Sequence, residues 1–127
     1  MANTRLTIVM RKDLQLVEGL AISQGFHIGM LALQNTHNFD QKLITLNDKQ
    51  NDWVPSPYVS ILAVQCYEDL MSIGEAANRA KLAVHVWEDT IPSPTFEGQA
   101  IKAIIGISIG PDDFDAIKIV TNGLKLY

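Results

Sequence analysis

The run Leu6-Thr7-Ile8-Val9-Met10 is compact, apolar and largely β-branched, and it stops abruptly at Arg11-Lys12-Asp13. Such a run suits a strand buried on both faces, which places it centrally in a sheet. Just past the polar corner, Leu20, Ile22, Phe26, Met30, Leu31 and Leu33 recur at helical spacing. A buried strand followed by a turn and an apolar-striped helix is the opening of an α/β domain. Gly25 and Gly29 lie four residues apart on one stripe of that helix, where small residues let it approach the sheet closely.

The alternation continues along the chain. Tyr58 to Val64 reads as a second buried strand, and Leu70, Met71, Ile73, Ala76, Ala77 and Ala80 form an amphipathic helix. That helix ends near Arg79 and Lys81, where cations suit its negative end. Ala83 to Trp87 reads as a third strand that delivers Glu88-Asp89-Thr90 at its end, followed by the loop Pro92-Ser93-Pro94. Ile101 to Ile109 is the longest strand expected, stopped by Gly110-Pro111. Asp112 and Asp113 then cap a helix carrying Phe114, Ile117 and Val120, which Asn122-Gly123 terminates. The polar stretch from Gln34 to Pro57 reads as loop with a short strand or turn at Lys42 to Leu46. A connection that long is functional or mobile in many small domains. One α/β domain over residues 1–127, with helices on both faces of the sheet, is the expectation.

Composition narrows the function classes. Apolar residues make up 47% and charged residues 19%, an ordinary globular balance. The net charge of -4, from 10 basic and 14 acidic side chains, argues against a tight grip on a polyanion. Cys66 is the single cysteine, so neither an internal disulfide nor a cysteine metal site can form, and it is expected to be a buried small hydrophobe. No segment approaches the roughly 18 apolar residues of a membrane span, and the N-terminus leads directly into the first strand; a cytoplasmic protein is expected. The HExxH, phosphate-loop and dinucleotide patterns are absent, and Gly106-Ile107-Ser108-Ile109-Gly110 has the letters of Gly-x-Ser-x-Gly but reads as strand without that motif's strand-to-helix turn, so neither a metal nor a cofactor is expected.

Open α/β sheets bind ligands at the carboxyl ends of their strands, and this chain delivers polar residues there. If the first and third strands are neighbours, Asp13, Asp89, Gln24 and His27 line one cleft. A carboxylate beside a hydroxyl can orient or deprotonate a water for ester cleavage, which singles out Asp89 with Thr90, Ser93 or Thr95. The same residues also suit a capped turn, and His27 also suits a packing role on its helix. His37 and His85 stand isolated.

These motifs resemble the type-2 peptidyl-tRNA hydrolases. In that family the opening frame runs Arg-x-Asp-Leu, a glycine-rich turn, a lysine, then Ala-Gln and His; here it is Arg11-Lys12-Asp13-Leu14, with Gln24 and His27. Three further places are similar: an aspartate closing the third strand, a strand ending Ile109-Gly110-Pro111, and the close Val120 to Tyr127. The resemblance frames most of residues 5–33 and 58–127. It implies a mixed four-stranded sheet with helices on both faces, a homodimer, and hydrolysis of the ester joining a peptide to tRNA. Asp89 would orient water, Ser93 (a threonine in the family) or Thr95 would support the oxyanion, and His27 would join them. Arg11, Lys12, Asp13, Gln24 and Thr90 would contact substrate. The chain departs from the pattern at Leu20 and Ala63, where the family has lysines, and at Ile105, where it has a threonine. The loop from Thr90 to Gln99 is also longer than the family's. Losing both lysines removes phosphate contacts and the cations that keep a carboxylate ionised; Lys12 and Lys102 are the replacements on hand. A related group that shares the fold lacks the hydrolase residues, and the alternative is a non-hydrolytic domain that binds a small molecule or protein.

Overall fold

The computed structural model describes residues 3–33 and 47–127. The first strand, β1 (Thr4–Arg11), leads into helix α1 (Glu18–Leu31), and a short helix α2 (Asp48–Trp53) precedes β2 (Val59–Val64). Helix α3 (Tyr67–Arg79), strands β3 (Val84–Pro92) and β4 (Ala100–Asp113), helix α4 (Phe114–Thr121) and strand β5 (Lys125–Leu126) complete the chain. The sheet order is β3-β4-β1-β2-β5. β1 and β2 run parallel, while β4 is antiparallel to both β1 and β3. The first strand is central, as its unbroken apolar run requires.

Among the described residues the sheet has five strands and not four. Lys125 and Leu126 pair antiparallel with Ala63 and Leu62, and the Tyr127 N–H donates to the Ile61 carbonyl at 2.9 Å. Two residues with no alternation give no strand signal, which is why the sequence shows only the end of a helix there.

Two apolar layers sandwich the sheet. Leu6, Ile8, Met10, Ile28, Trp53, Ile91 and Ile105 fill the layer under α1 and α2. Val9, Val64, Leu70, Ala77, Ile107, Ile109 and Ile117 fill the layer under α3 and α4. β4 serves both layers because it carries an extra residue: Trp87 pairs with Gly106 but Glu88 pairs with Ile104, leaving Ile105 as a bulge. Side chains alternate in a strand, so the extra residue switches odd positions from the first layer (Ile101, Ala103, Ile105) to the second (Ile107, Ile109). Gly106 sits at the switch, where an added Cβ would lie 2.5 Å from the Val9 carbonyl and 2.9 Å from Ile28 Cδ1.

Several local expectations need correction. α1 buries Gln24, Gly25 and Ile28 and leaves Ile22, Phe26 and Met30 exposed, Phe26 at 67%. Apolar residues surround this helix, so periodicity alone chose the wrong stripe; the glycines do face the sheet, against Ile61 and Ile8. β3 continues through Pro92, so Glu88, Asp89 and Thr90 lie within a strand, and β4 runs on past the cis Gly110-Pro111 bond to Asp113. The Asp112 carboxylate accepts from the Asp113 N–H at 2.7 Å, and both acids meet Lys49 of α2. Finally, residues 47–57 contain α2, started by a capping box between Asn47 and Gln50, and Cys66 is half-buried at the N-cap of α3. The strand or turn expected at residues 42–46, and His37, lie outside the described residues.

Candidate active site

β4 lies between β1 and β3, so the first and third strands are not neighbours. The gap is crossed by α1, which packs over β1, β4 and β3 and carries its inward face to the third strand. Gln24, only 2% exposed, is the polar residue of that face. On β3 the period-two alternation turns Trp87, Asp89 and Ile91 toward it.

The Trp87 indole N–H donates to Gln24 Oε1 at 2.6 Å, and Gln24 Nε2 donates to Asp89 Oδ2 at 3.0 Å. Indole nitrogen is only a donor, so it fixes the amide: oxygen toward Trp87, NH2 toward the carboxylate. The Thr90 N–H donates to the other Asp89 oxygen at 2.8 Å. His27 lies flat on Trp87, with ring centroids 5.1 Å apart and 18° between planes. The Gln24 bond foremost, then the Thr90 N–H, with the charge of His27 adding to them, holds the Asp89 carboxyl below the usual 3.8. Each carboxylate oxygen keeps an acceptor site free, and the half-buried group can therefore hold and polarise a water.

A model of the peptidyl-tRNA hydrolase PTH2 family matches residues 4–127. The chain belongs to the PTH2 family. No curated protein matches it. Among the described residues no helix is long and apolar enough to cross a membrane.

The residues singled out from the PTH2 motifs divide into three places. Gln24, His27, Asp89 and the Thr90 backbone meet at the group just described. Arg11 and Asp13 bind each other instead, through Nε to Oδ1 at 3.0 Å and Nη2 to Oδ2 at 2.7 Å. Arg11 also reaches the Ile104 carbonyl and lies over the Tyr67 ring of α3, which puts this pair on the opposite side of the sheet from α1. Ser93 and Thr95 occupy the β3–β4 loop, where Ser93 Oγ accepts from the Thr95 and Phe96 N–H groups and lies 3.3 Å from Thr95 Oγ1. Four extended residue steps lead from Asp89 to Ser93, about 13 Å, so the hydroxyl pair stands apart from the carboxylate.

The substituted PTH2 positions also separate. Leu20 lines a pocket of about 220 Å³ with Leu14, Gln15, Pro92 and Ser93. Ala63 lines another, of about 600 Å³, with Lys12, Asp69, Ser72 and Lys125. Lysines from the corner after β1 and from β5 thus border the position where the family carries one on β2. Lys12 Nζ lies 4.1 Å from the Tyr127 ring centroid. Lys102 pairs with Glu88 at 3.3 Å on the face away from Asp89. Ile105, the bulge residue, is fully buried and offers no hydroxyl.

Trp87 is the group member that the motifs missed. Its signal is its position two residues before Asp89, on the same face of a strand, together with an indole N–H that requires an acceptor once half-buried.

Proposed function

We propose that this protein hydrolyses the ester between a peptide and the 3′ ribose of tRNA, with Asp89 as general base. A water held on the Asp89 carboxylate attacks the ester carbonyl and gives its proton to Asp89 as the new C–O bond forms. The C–O bond to the ribose then breaks, and His27, at the exposed mouth of the group, relays a proton from solvent to the leaving 3′-oxygen. The observation that carries the reading is the fixed Trp87–Gln24–Asp89 relay, which keeps the carboxylate ionised and aimed without a neighbouring lysine. Lys12 and Lys125, two and four strand spacings from β3 or about 10 and 19 Å across the sheet, supply phosphate contacts for the acceptor end.

The test is release of peptide from peptidyl-tRNA by the purified protein and by Asp89→Asn. Removing a general base lowers the rate by about 10²-fold or more, so the variant should retain about a hundredth of the activity. No release by the unaltered protein at high concentration refutes the reading.

One observation favours a second reading, a non-hydrolytic binding domain. The family's helix-one lysine is Leu20, packed against the apolar layer beside Ser93, whose oxygen is occupied by its own turn. Peptidyl-tRNA that binds without being cleaved would select it.

A further inference from the structure

β3 is an edge strand, and among the described residues it pairs with β4 alone. The other edge, β5, presents two residues, whereas β3 presents nine. Two bonds fix which of its backbone groups are open. The Ala83 carbonyl accepts from the Gly110 N–H, and the Ser93 N–H donates to the Gln99 carbonyl, so odd residues face the β4 side. Even residues therefore point their N–H and C=O groups outward: Val84, Val86, Glu88 and Thr90. The Thr90 N–H is already taken by Asp89. The open run thus ends at the carboxylate.

Natural edges of this length are blunted by lysine, proline or an inward bulge. From Val84 to Ile91 β3 carries neither lysine nor proline, and the bulge of this pair belongs to β4. Val86 is 48% exposed. A pocket of about 300 Å³, lined by Met71, Gly74, Val84, Val86 and Ile107, opens beside it between the edge and α3.

We infer that the open edge of β3 binds an extended peptide, which adds to the sheet as a further strand through Val84, Val86 and Glu88. Strand addition recognises main chain, so it accepts many sequences, and alternate side chains fall on opposite faces. One set drops into the apolar pocket by Val86 and the other toward Trp87 and His27. The inference deepens the hydrolase reading and rests on it for what the peptide carries at its end. For the ester carbonyl to reach Asp89, near the C-terminal end of β3, the peptide must run parallel to β3. Its N-terminal portion then leaves past Val84.

The experiment titrates nitrogen-15-labelled full-length protein with the acetylated, amidated peptide Ala-Thr-Val-Thr-Ala. A second titration uses the same peptide N-methylated at alternate residues in the frame that blocks the edge. The amide signals of Val84, Val86 and Glu88 should move, N-methylation should weaken binding at least tenfold, and Val86→Pro, which removes an outward N–H, should do the same. No shift overturns the inference, as do shifts centred on β5 or α1 or equal binding of the methylated peptide. Edge signals that change with protein concentration alone also overturn it, because the occupant is then a second copy of the chain. Peptide release from peptidyl-tRNA is assayed in parallel. Absent release with intact edge binding refutes the hydrolase reading and leaves the edge assignment standing; release without edge binding refutes the edge assignment alone.

Discussion

The indole N–H of Trp87 reaches Gln24 Oε1 at 2.6 Å, and this bond decides which end of the amide meets Asp89. Without it, the amide could turn its oxygen to the carboxylate and repel it.

Gln24→Leu should therefore raise the Asp89 pKa toward its ordinary value and leave the half-buried Trp87 N–H without an acceptor. An unsatisfied buried donor costs about 1–3 kcal/mol. Denaturant unfolding checks the stability loss, and carboxyl NMR titration checks the pKa.

The pH dependence of Asp89 follows from the direction of its shift. Its folded pKa lies below the unfolded 3.8, so the stabilisation it contributes is complete above 3.8 and disappears as pH falls through the lower folded value. The stability difference between the protein and Asp89→Asn should stay flat from neutral pH down to about 5 and shrink only in stronger acid. Unfolding curves across that range measure it.

His85 gives an effect nearer neutrality. Burial pushes its imidazole below the usual 6.5, and among the described residues Nδ1 meets no hydrogen-bond partner. Below 6.5 the unfolded chain takes up a proton that the folded state resists, so this residue's contribution is present above 6.5 and lost as pH falls through the folded value. His85→Phe should flatten the fall in urea midpoint between neutral pH and the acid side of that window.

Two glycine substitutions should behave oppositely. Gly106→Ala drives a Cβ to 2.5 Å from the Val9 carbonyl, and the β1–β4 pairing must yield, at a cost of about 3 kcal/mol. At Gly29 the added methyl would make an ordinary 3.6 Å contact with Ile8, so Gly29→Ala should be neutral or gain about 0.5–1 kcal/mol from helix propensity. Thermal unfolding of both variants separates the two.

Replacing Lys12 and Lys125 together by alanine should raise KM for peptidyl-tRNA and leave kcat close to unchanged, because phosphate contacts hold ground and transition states alike. The slope of log affinity against log salt should flatten by about 1.4, two contacts on single-stranded RNA. A steep kcat loss instead would place these amines at the chemistry.

The parts of the fold legible in the sequence are those where one period dominates. β1 and α3 read correctly because Leu6 to Met10 is buried on both faces and α3 is apolar on one side only, whereas β2 forms where expected but leaves Val59 and Ile61 exposed and buries only Ala63 and Val64. α1 was illegible in detail because Ile22, Phe26 and Met30 compete with Ile28 and the glycines for the inward face. β4 defeated the pattern through its bulge, and β3 through acidic residues that a strand ordinarily avoids. At the site, Gln24, His27 and Asp89 were visible as motif residues, but their meeting depends on α1 spanning three strands. Arg11 and Asp13 belonged to the same motif, yet strand alternation turned Arg11 to the other side of the sheet and its ion pair holds Asp13 with it.

The unpaired isoleucine in β4 has a consequence for how this chain tolerates change. Because one extra residue reverses which side chains look up or down, the two ends of that strand are phased independently. Deleting Ile105 would restore the regular ladder and leave Ile101 and Ala103 on the first layer and Ile107 and Ile109 on the second, because Gly106 and Ile104 already oppose the consecutive residues Trp87 and Glu88. A single-codon loss at that point should therefore act like a large-to-small core change, removing one fully buried side chain from the floor under Gln24 and Asp89 while the strand keeps its facing.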